Sequence, residues 1–232
     1  MPDIRQLAQG WFDHALDLVF PPRCVHCKRS GAVWCLDCQR AVTLAFTVEY
    51  EAADSPLAGR RAYALFDGSV QSAIHGLKYY HKQRLAEPLG VRLAETLMVT
   101  GWQPTLCTAV PLHAERLAER GYNQSVLLAE QVARICRITF EGDAIQRIRA
   151  TRPQVGLNYA DRQRNMTDAF RASTLVHGQS VVIIDDVYTT GATLRACANV
   201  LRSAGATAVW ALTVASAASM DTDRRDDSGP IV

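Results

Sequence analysis

The sequence predicts an α/β fold: a mostly parallel sheet covered by helices, with a small cysteine-built module ahead of it. Three observations carry this prediction. Short apolar runs of strand character alternate with stretches of helical periodicity between about residues 61 and 214, the pattern of a sheet whose strands are joined by helices. Four of the seven cysteines (Cys24, Cys27, Cys35 and Cys38) crowd together near the N-terminus, whereas Cys107, Cys136 and Cys197 are scattered. The length of 232 residues, with 48% hydrophobic and 21% charged residues, is enough for one substantial core and an appendage. Collagen, a wholly disordered chain and a heptad rod are excluded by the same composition.

Residues 1–20 read as an N-terminal helix, because Ile4, Leu7, Ala8, Trp11, Phe12, Ala15, Leu16 and Val19 recur at helical spacing before Pro21-Pro22 ends the pattern. Asp3, Asp13 and Asp17 argue against a membrane-lying helix, whose polar face is usually cationic, and favour docking on the protein's own body. The segment lacks a signal-peptide hydrophobic region, and no run approaches the ~18 apolar residues needed to cross a bilayer. An odd cysteine count also sits badly with a complete disulfide framework. The expectation is a cytoplasmic protein without membrane insertion.

Residues 21–45 hold the second element, a Cys-x2-Cys pair followed after seven residues by another. Each pair makes a tight chelating turn, and Ser30-Gly31 lets the chain return, so four soft thiolates can surround one tetrahedral Zn²⁺. Four protein ligands leave no open position for activated water, which makes the expected zinc structural. His26 is then not needed as a ligand. Arg23, Lys28, Arg29 and Arg40 either offset the −2 charge of a zinc–tetrathiolate centre or contact nucleic acid. Counting that centre moves the formal net charge from +2 to zero. With no block of five like charges, a general attraction to nucleic acid or anionic membrane has little support.

Residues 46–217 form the third unit. An acidic connection with the turn Ser55-Pro56 leads into a strand at 61–66, the turn Asp67-Gly68, and a helix carrying Val70, Ile74, Leu77 and Lys78. Further strands are expected at 105–110, 168–172, 180–185 and 207–214, and helices at 84–99, 123–137 and 192–204. Cys107, Cys136 and Cys197 fall within these elements as small buried side chains. Residues 218–232 form a flexible polar tail.

The most informative stretch is 180–194. An apolar strand, Ser180-Val-Val-Ile-Ile184, runs into Asp185-Asp186, then Val187-Tyr188-Thr189-Thr190-Gly191-Ala192-Thr193, then a periodic helix. Thr189, Thr190 and Thr193 supply hydroxyl donors, Gly191 lets the backbone bend around a ligand, and Ala192 opens a helix whose free N–H groups face an anion. A phosphate monoester suits this cradle. The adjacent carboxylates can accept hydrogen bonds from vicinal ribose hydroxyls or orient Mg²⁺ through water. Neither a Walker A pattern nor Gly-x-Gly-x-x-Gly is present, which disfavours P-loop hydrolysis and dinucleotide binding.

The run VVIIDDVYTTGAT at 181–193 resembles the phosphoribosyl pyrophosphate signature of type I phosphoribosyltransferases. Taken with LKYYHKQRLAEPLG at 77–90, VPLHAERLAERGYNQS at 110–125 and the cysteine knuckle, the chain resembles the ComF/GntX family, a phosphoribosyltransferase-like family associated with DNA uptake in some bacteria. The resemblance covers about residues 20–217. It implies a type I phosphoribosyltransferase-like sheet of about five strands, ribose 2′- and 3′-hydroxyls on Asp185 and Asp186, and the 5-phosphate on Thr189 to Thr193. Lys78 corresponds to a family lysine.

Around such a ligand, His113 in the Val110-Pro111-Leu112-His113 loop and Arg116 and Arg120 before Gly121-Tyr122-Asn123 are candidates for the pyrophosphate side; Asn123 alternatively caps a helix. Arg147, Arg149, Arg152, Arg162, Arg164 and Asn165 resemble the mobile loop that type I enzymes close over pyrophosphate, with Mg²⁺ neutralising that group if the protein is catalytic. The other reading of these arginines is a single-stranded DNA surface with Tyr159 stacking on a base. The sequence therefore leaves two functions: binding of phosphoribosyl pyrophosphate or a nucleoside monophosphate, with or without transfer of ribose 5-phosphate to a nitrogen nucleophile, or a non-catalytic partner of DNA uptake or processing. A homo-oligomer remains open, and no base-recognition hood is identifiable.

Overall fold

A computed structural model describes residues 21–45, 48–52, 54–148 and 169–217. The expected N-terminal helix, the C-terminal tail, and the loop positions Arg149, Arg152, Tyr159, Arg162, Arg164 and Asn165 lie outside the described residues.

A short helix α1 (Leu36–Arg40) closes the cysteine knuckle. Strand β1 (Gly59–Leu65) follows, then α2 (Gly68–Tyr79), α3 (Ala86–Met98), β2 (Leu106–Ala109), α4 (Ala114–Arg120) and α5 (Gln124–Cys136). The chain continues through β3 (Thr139–Phe140), β4 (Ile145–Arg147), β5 (Phe170–Ala172), β6 (Ser180–Tyr188), α6 (Ala192–Ser203) and β7 (Ala208–Ser216). Five strands form one sheet in the order β1-β7-β6-β2-β3, every pair parallel. The remaining strands, β4 and β5, make a separate antiparallel ribbon.

The side-chain pattern of β6 explains why the sheet is covered twice. Val182 and Ile184 enter a core with Ile74, Leu89, Leu93 and Leu128 from α2, α3 and α5. Their neighbours Val181 and Ile183 enter a second core with Leu194, Cys197 and Leu201 of α6. A strand buried on both faces reads as an unbroken apolar run, the mark of a parallel sheet between helix layers.

Two differences from the sequence reading matter. The stretch expected as a strand at 168–172 is strand Phe170–Ala172, but it pairs with β4 rather than joining the main sheet. Strand β6 does not stop at Asp185; it runs to Tyr188 because β7 is equally long and Asp185 sits opposite Thr213 and Tyr188 opposite Ser216 in the ladder. The carboxylates are therefore carried on strand backbone rather than on a loop, and strand hydrogen bonds fix where they point.

Candidate functional site

The knuckle is built from paired turns. Cys24 N–H donates to Arg29 C=O at 2.8 Å and Lys28 N–H to Cys24 C=O at 3.0 Å, so the chain curls around the first pair; α1 carries Cys38 into contact from the other side. The Sγ atoms of Cys24 and Cys38 lie 3.7 Å apart and those of Cys27 and Cys35 3.6 Å apart, with all four within 4.8 Å of one another. Disulfides would need about 2 Å. Four sulfurs at ~2.3 Å from one tetrahedral ion stand ~3.8 Å apart, so this set could hold a metal ion. Burial raises the Cys24 thiol, but backbone N–H groups of Cys35, Cys27 and His26 outweigh it and bring the value down to about 6. His26 is not part of the cluster: its ring bonds Ser72 Oγ at 3.0 Å.

That contact belongs to a docked interface. Buried Ser69, in the first turn of α2, donates to Cys38 C=O at 2.6 Å. Two turns further along, a Cβ on Gly76 would lie 3.2 Å from Val25 and 2.7 Å from Leu85, so glycine lets the knuckle approach the helix closely. At its far end the same helix delivers Lys78, whose Nζ is 2.8 Å from Asp186 Oδ2. One helix thus joins the cysteine cluster to the acidic pair.

The acidic pair lines a cleft of about 170 Å³ together with Lys78, Tyr79 and Thr193. The cleft lies between the C-terminal ends of β6 and β2, where the chain order reverses: from β2 the next sheet strand lies on one side, and from β6 on the other. Such a switch point leaves a crevice in open α/β sheets. Asp185 Oδ1 accepts from Ser125 Oγ at 2.9 Å and from Asp186 N–H at 2.9 Å. Burial, then the neighbouring Asp186, pushes the Asp185 carboxyl up to about 7 despite those bonds and Lys78. Asp186 is buried, and its Oδ2 has no aligned hydrogen bond although the Lys78 ammonium is close. The Lys78 ammonium is thus the charge partner of Asp186 Oδ2.

Beyond β6 the chain turns at Gly191, φ +71°, and enters α6. A Cβ there would meet the Tyr188 ring at 2.6 Å. Tyr188 is held by Arg60, 4.0 Å above its ring centroid, and by Arg195, which donates to its hydroxyl at 3.3 Å. Thr190 Oγ1 accepts from Ala192 N–H at 3.4 Å, and Thr190 C=O accepts from Arg195. Thr189 and Thr190 are exposed.

The opposite wall is the loop after β2. Val110, Pro111 and Leu112 line the cleft, and Arg116, Arg120 and Arg147 bring positive charge to it. Arg120 donates to Gln124 Oε1 and lies over Tyr79, 5.5 Å from the ring centroid. Asn123 caps α5 by accepting from Ser125 N–H at 2.9 Å, while its amide donates to Val110 C=O at 2.9 Å. The cap therefore ties Ser125, and through it Asp185, to the loop after β2.

A phosphoribosyl transferase domain model matches residues 123–230. The chain is 35% identical over 196 residues to the DNA utilization protein YhgH of Escherichia coli (strain K12), covering 82% of this chain and 76% of the relative. It is also 35% identical over 114 residues to Competence protein F of Haemophilus influenzae, 47% of this chain and 50% of that one. The chain belongs to the ComF/GntX family. Among solved structures, the glutamine phosphoribosylpyrophosphate amidotransferase of B. subtilis complexed with ADP and GMP matches with 25% identity and a TM-score of 0.41, over 56% of this chain and 26% of the other.

In this ComF/GntX protein the expected positions divide into four groups. Asp185, Asp186, Thr193, Lys78 and Arg120 meet in the cleft. Thr189, Thr190, Gly191 and Ala192 form the turn beside it. His113 caps α4, its Nδ1 accepting from Glu115 N–H at 3.3 Å, and is not among the residues that line the cleft. Arg152 lies outside the described residues. Sequence reasoning missed Ser125 and Tyr79. Ser125 lay inside the GYNQS run, and Tyr79 follows Lys78; the missing signal was that both helix ends converge on β6.

Proposed function

We propose that the cleft binds the ribose 5-phosphate moiety of phosphoribosyl pyrophosphate or of a nucleoside monophosphate. The observation that carries this reading is the acidic pair at the sheet's switch point, with Asp186 Oδ2 held only by the Lys78 ammonium, beside Thr193 and facing Arg116 and Arg120. Asp185 and Asp186 would accept from the two ribose hydroxyls, Thr189 to Thr193 with the α6 N-terminus would hold the 5-phosphate, and the arginines would face a pyrophosphate. Lys78 would give up part of its hold on Asp186 as the ligand enters. Mg²⁺, carried in with pyrophosphate, would supply charge neutralisation for a leaving group. With a nitrogen nucleophile present, the residues' task is to orient the sugar and stabilise developing negative charge.

Zn²⁺ is the metal that suits four clustered thiolates, and its role would be to hold the knuckle against α2. The scattered free thiols support a reducing, cytoplasmic setting; among the described residues no helix is long and apolar enough to cross a membrane.

A second reading is favoured by the relatives' names: a partner in DNA use or uptake that keeps the cradle without transfer chemistry. Incubating the protein with labelled phosphoribosyl pyrophosphate, Mg²⁺ and a panel of bases and amines separates the two. Pyrophosphate release with a ribosylated product supports transfer. Binding without turnover across the panel supports the partner role.

A further inference from the structure

The segment Leu77-Lys78-Tyr79-Tyr80 ends α2 at the mouth of the cleft. Lys78 turns inward to Asp186, whereas Tyr79 and Tyr80 stand 63% and 69% exposed. Two neighbouring tyrosine rings left in water forgo a large burial gain, which makes them informative at a cleft rim. Tyr79 is not loose. The His75 ring meets it edge-on with centroids 5.7 Å apart and planes at 80°, and Phe66 packs against His75 at 5.9 Å. Arg120 adds a cation over the ring. Its backbone is fixed as well, since Leu77 C=O accepts from the buried Tyr122 hydroxyl.

A nucleotide presents three chemically distinct parts: a phosphate, a diol and a flat aromatic ring. Thr193 offers a hydroxyl, Asp185 and Asp186 offer carboxylates, and Tyr79 offers a flat, oriented, solvent-open surface, all in one cleft. We propose that Tyr79 is the platform on which the nucleobase of the ligand stacks, supplying the base-contacting wall that the sequence alone does not reveal. This inference rests on the ribose 5-phosphate reading above. Stacking uses the π-face that every base has, so the site takes purines and pyrimidines alike and reads no hydrogen-bonding edge. A free ribonucleoside 5′-monophosphate offers all three parts, whereas the 5′-phosphorylated end of a DNA single strand offers the phosphate and the base without the diol.

The test is titration calorimetry of the full chain with three probes: ribose 5-phosphate, AMP, and a short 5′-phosphorylated oligodeoxynucleotide. Wild type, Tyr79→Ala and Tyr79→Phe are compared, with circular dichroism confirming that each is folded. Expected are a loss of roughly tenfold or more in AMP affinity in Tyr79→Ala, retention within about threefold in Tyr79→Phe, and unchanged ribose 5-phosphate affinity in both. Equal AMP and ribose 5-phosphate affinities in wild type, or an equal loss for the two probes in Tyr79→Ala, overturns the platform. Failure of ribose 5-phosphate to bind wild type overturns the sugar–phosphate reading itself. An oligonucleotide that binds more tightly than AMP and loses affinity in Tyr79→Ala identifies a strand end as the occupant; one that binds more weakly identifies a mononucleotide.

Discussion

Replacing Asp185 by asparagine should stabilise the ligand-free protein while removing its grip on a ribose diol. Burial and the adjacent Asp186 raise the Asp185 carboxyl from 3.8 to about 7, against the opposing effects of the Asp186 N–H, Ser125 and Lys78. A carboxyl whose folded value exceeds its unfolded value binds more protons in the native state between the two. Its contribution to stability therefore falls as pH rises through that window and is flat above it. Three pH units correspond to roughly 4 kcal/mol. Asp185 keeps partial solvent contact, so the working penalty is about 2 kcal/mol. Asparagine retains an oxygen to accept from Ser125 and from the Asp186 amide, the two bonds now made at 2.9 Å, but carries no charge. At pH 8 the melting temperature should rise by about 4–8 °C. At pH 5 the gain should be less than half as large, because most of the window lies above that pH. Thermal melts at the two pH values, paired with ribose 5-phosphate titrations expected to lose at least about tenfold in affinity, check both halves. A melting temperature at pH 8 equal to or below wild type would refute the reasoning, since it would mean the buried carboxylate is already fully compensated.

Lys78→Met removes the cation beside two adjacent carboxylates; the Asp185 carboxyl should move further up and stability should fall more steeply between pH 5 and pH 8 than in wild type, as read by urea melts. Gly191→Ala forces a side chain into a left-handed turn against Tyr188, costing at least about 1–2 kcal/mol and weakening phosphate binding, measured by melts and inorganic phosphate titration. Chelation of metal from the purified protein should lower the melting temperature and raise amide exchange in α2, where Ser69 and Gly76 meet the knuckle; protection unchanged in α2 would show that the knuckle folds without bracing it. Ser69→Ala leaves the buried Cys38 carbonyl without its donor and should cost about 1–3 kcal/mol in urea melts.

Much of the architecture was legible because it depends on local pattern. The apolar run Ser180–Ile184 implied a strand and the alternation of strands with helices a covered sheet, and the packing of Val182 and Ile184 against one core and Val181 and Ile183 against the other shows why. The Cys-x2-Cys pairs implied a closed cluster because their turns are short-range. What was not legible depends on long-range convergence. Nothing near Ser125 in sequence indicates that it reaches Asp185 sixty residues away. The extension of β6 to Tyr188 follows from the length of its partner β7 rather than from its own residues. His113 shows a local role that the spacing did not reveal: in the expected ligand loop, its Nδ1 satisfies the first turn of α4.

In the proposed function, Asp185 and Asp186 with the 189–193 turn hold a phosphorylated ribose. Equilibrium binding of phosphoribosyl pyrophosphate in the presence of Mg²⁺, to wild type and to the Asp185→Asn plus Asp186→Asn double variant, tests it most directly. The account predicts saturable binding by wild type and its loss in a variant that melts at or above the wild-type temperature at pH 8. Undiminished binding by that folded double variant would contradict it.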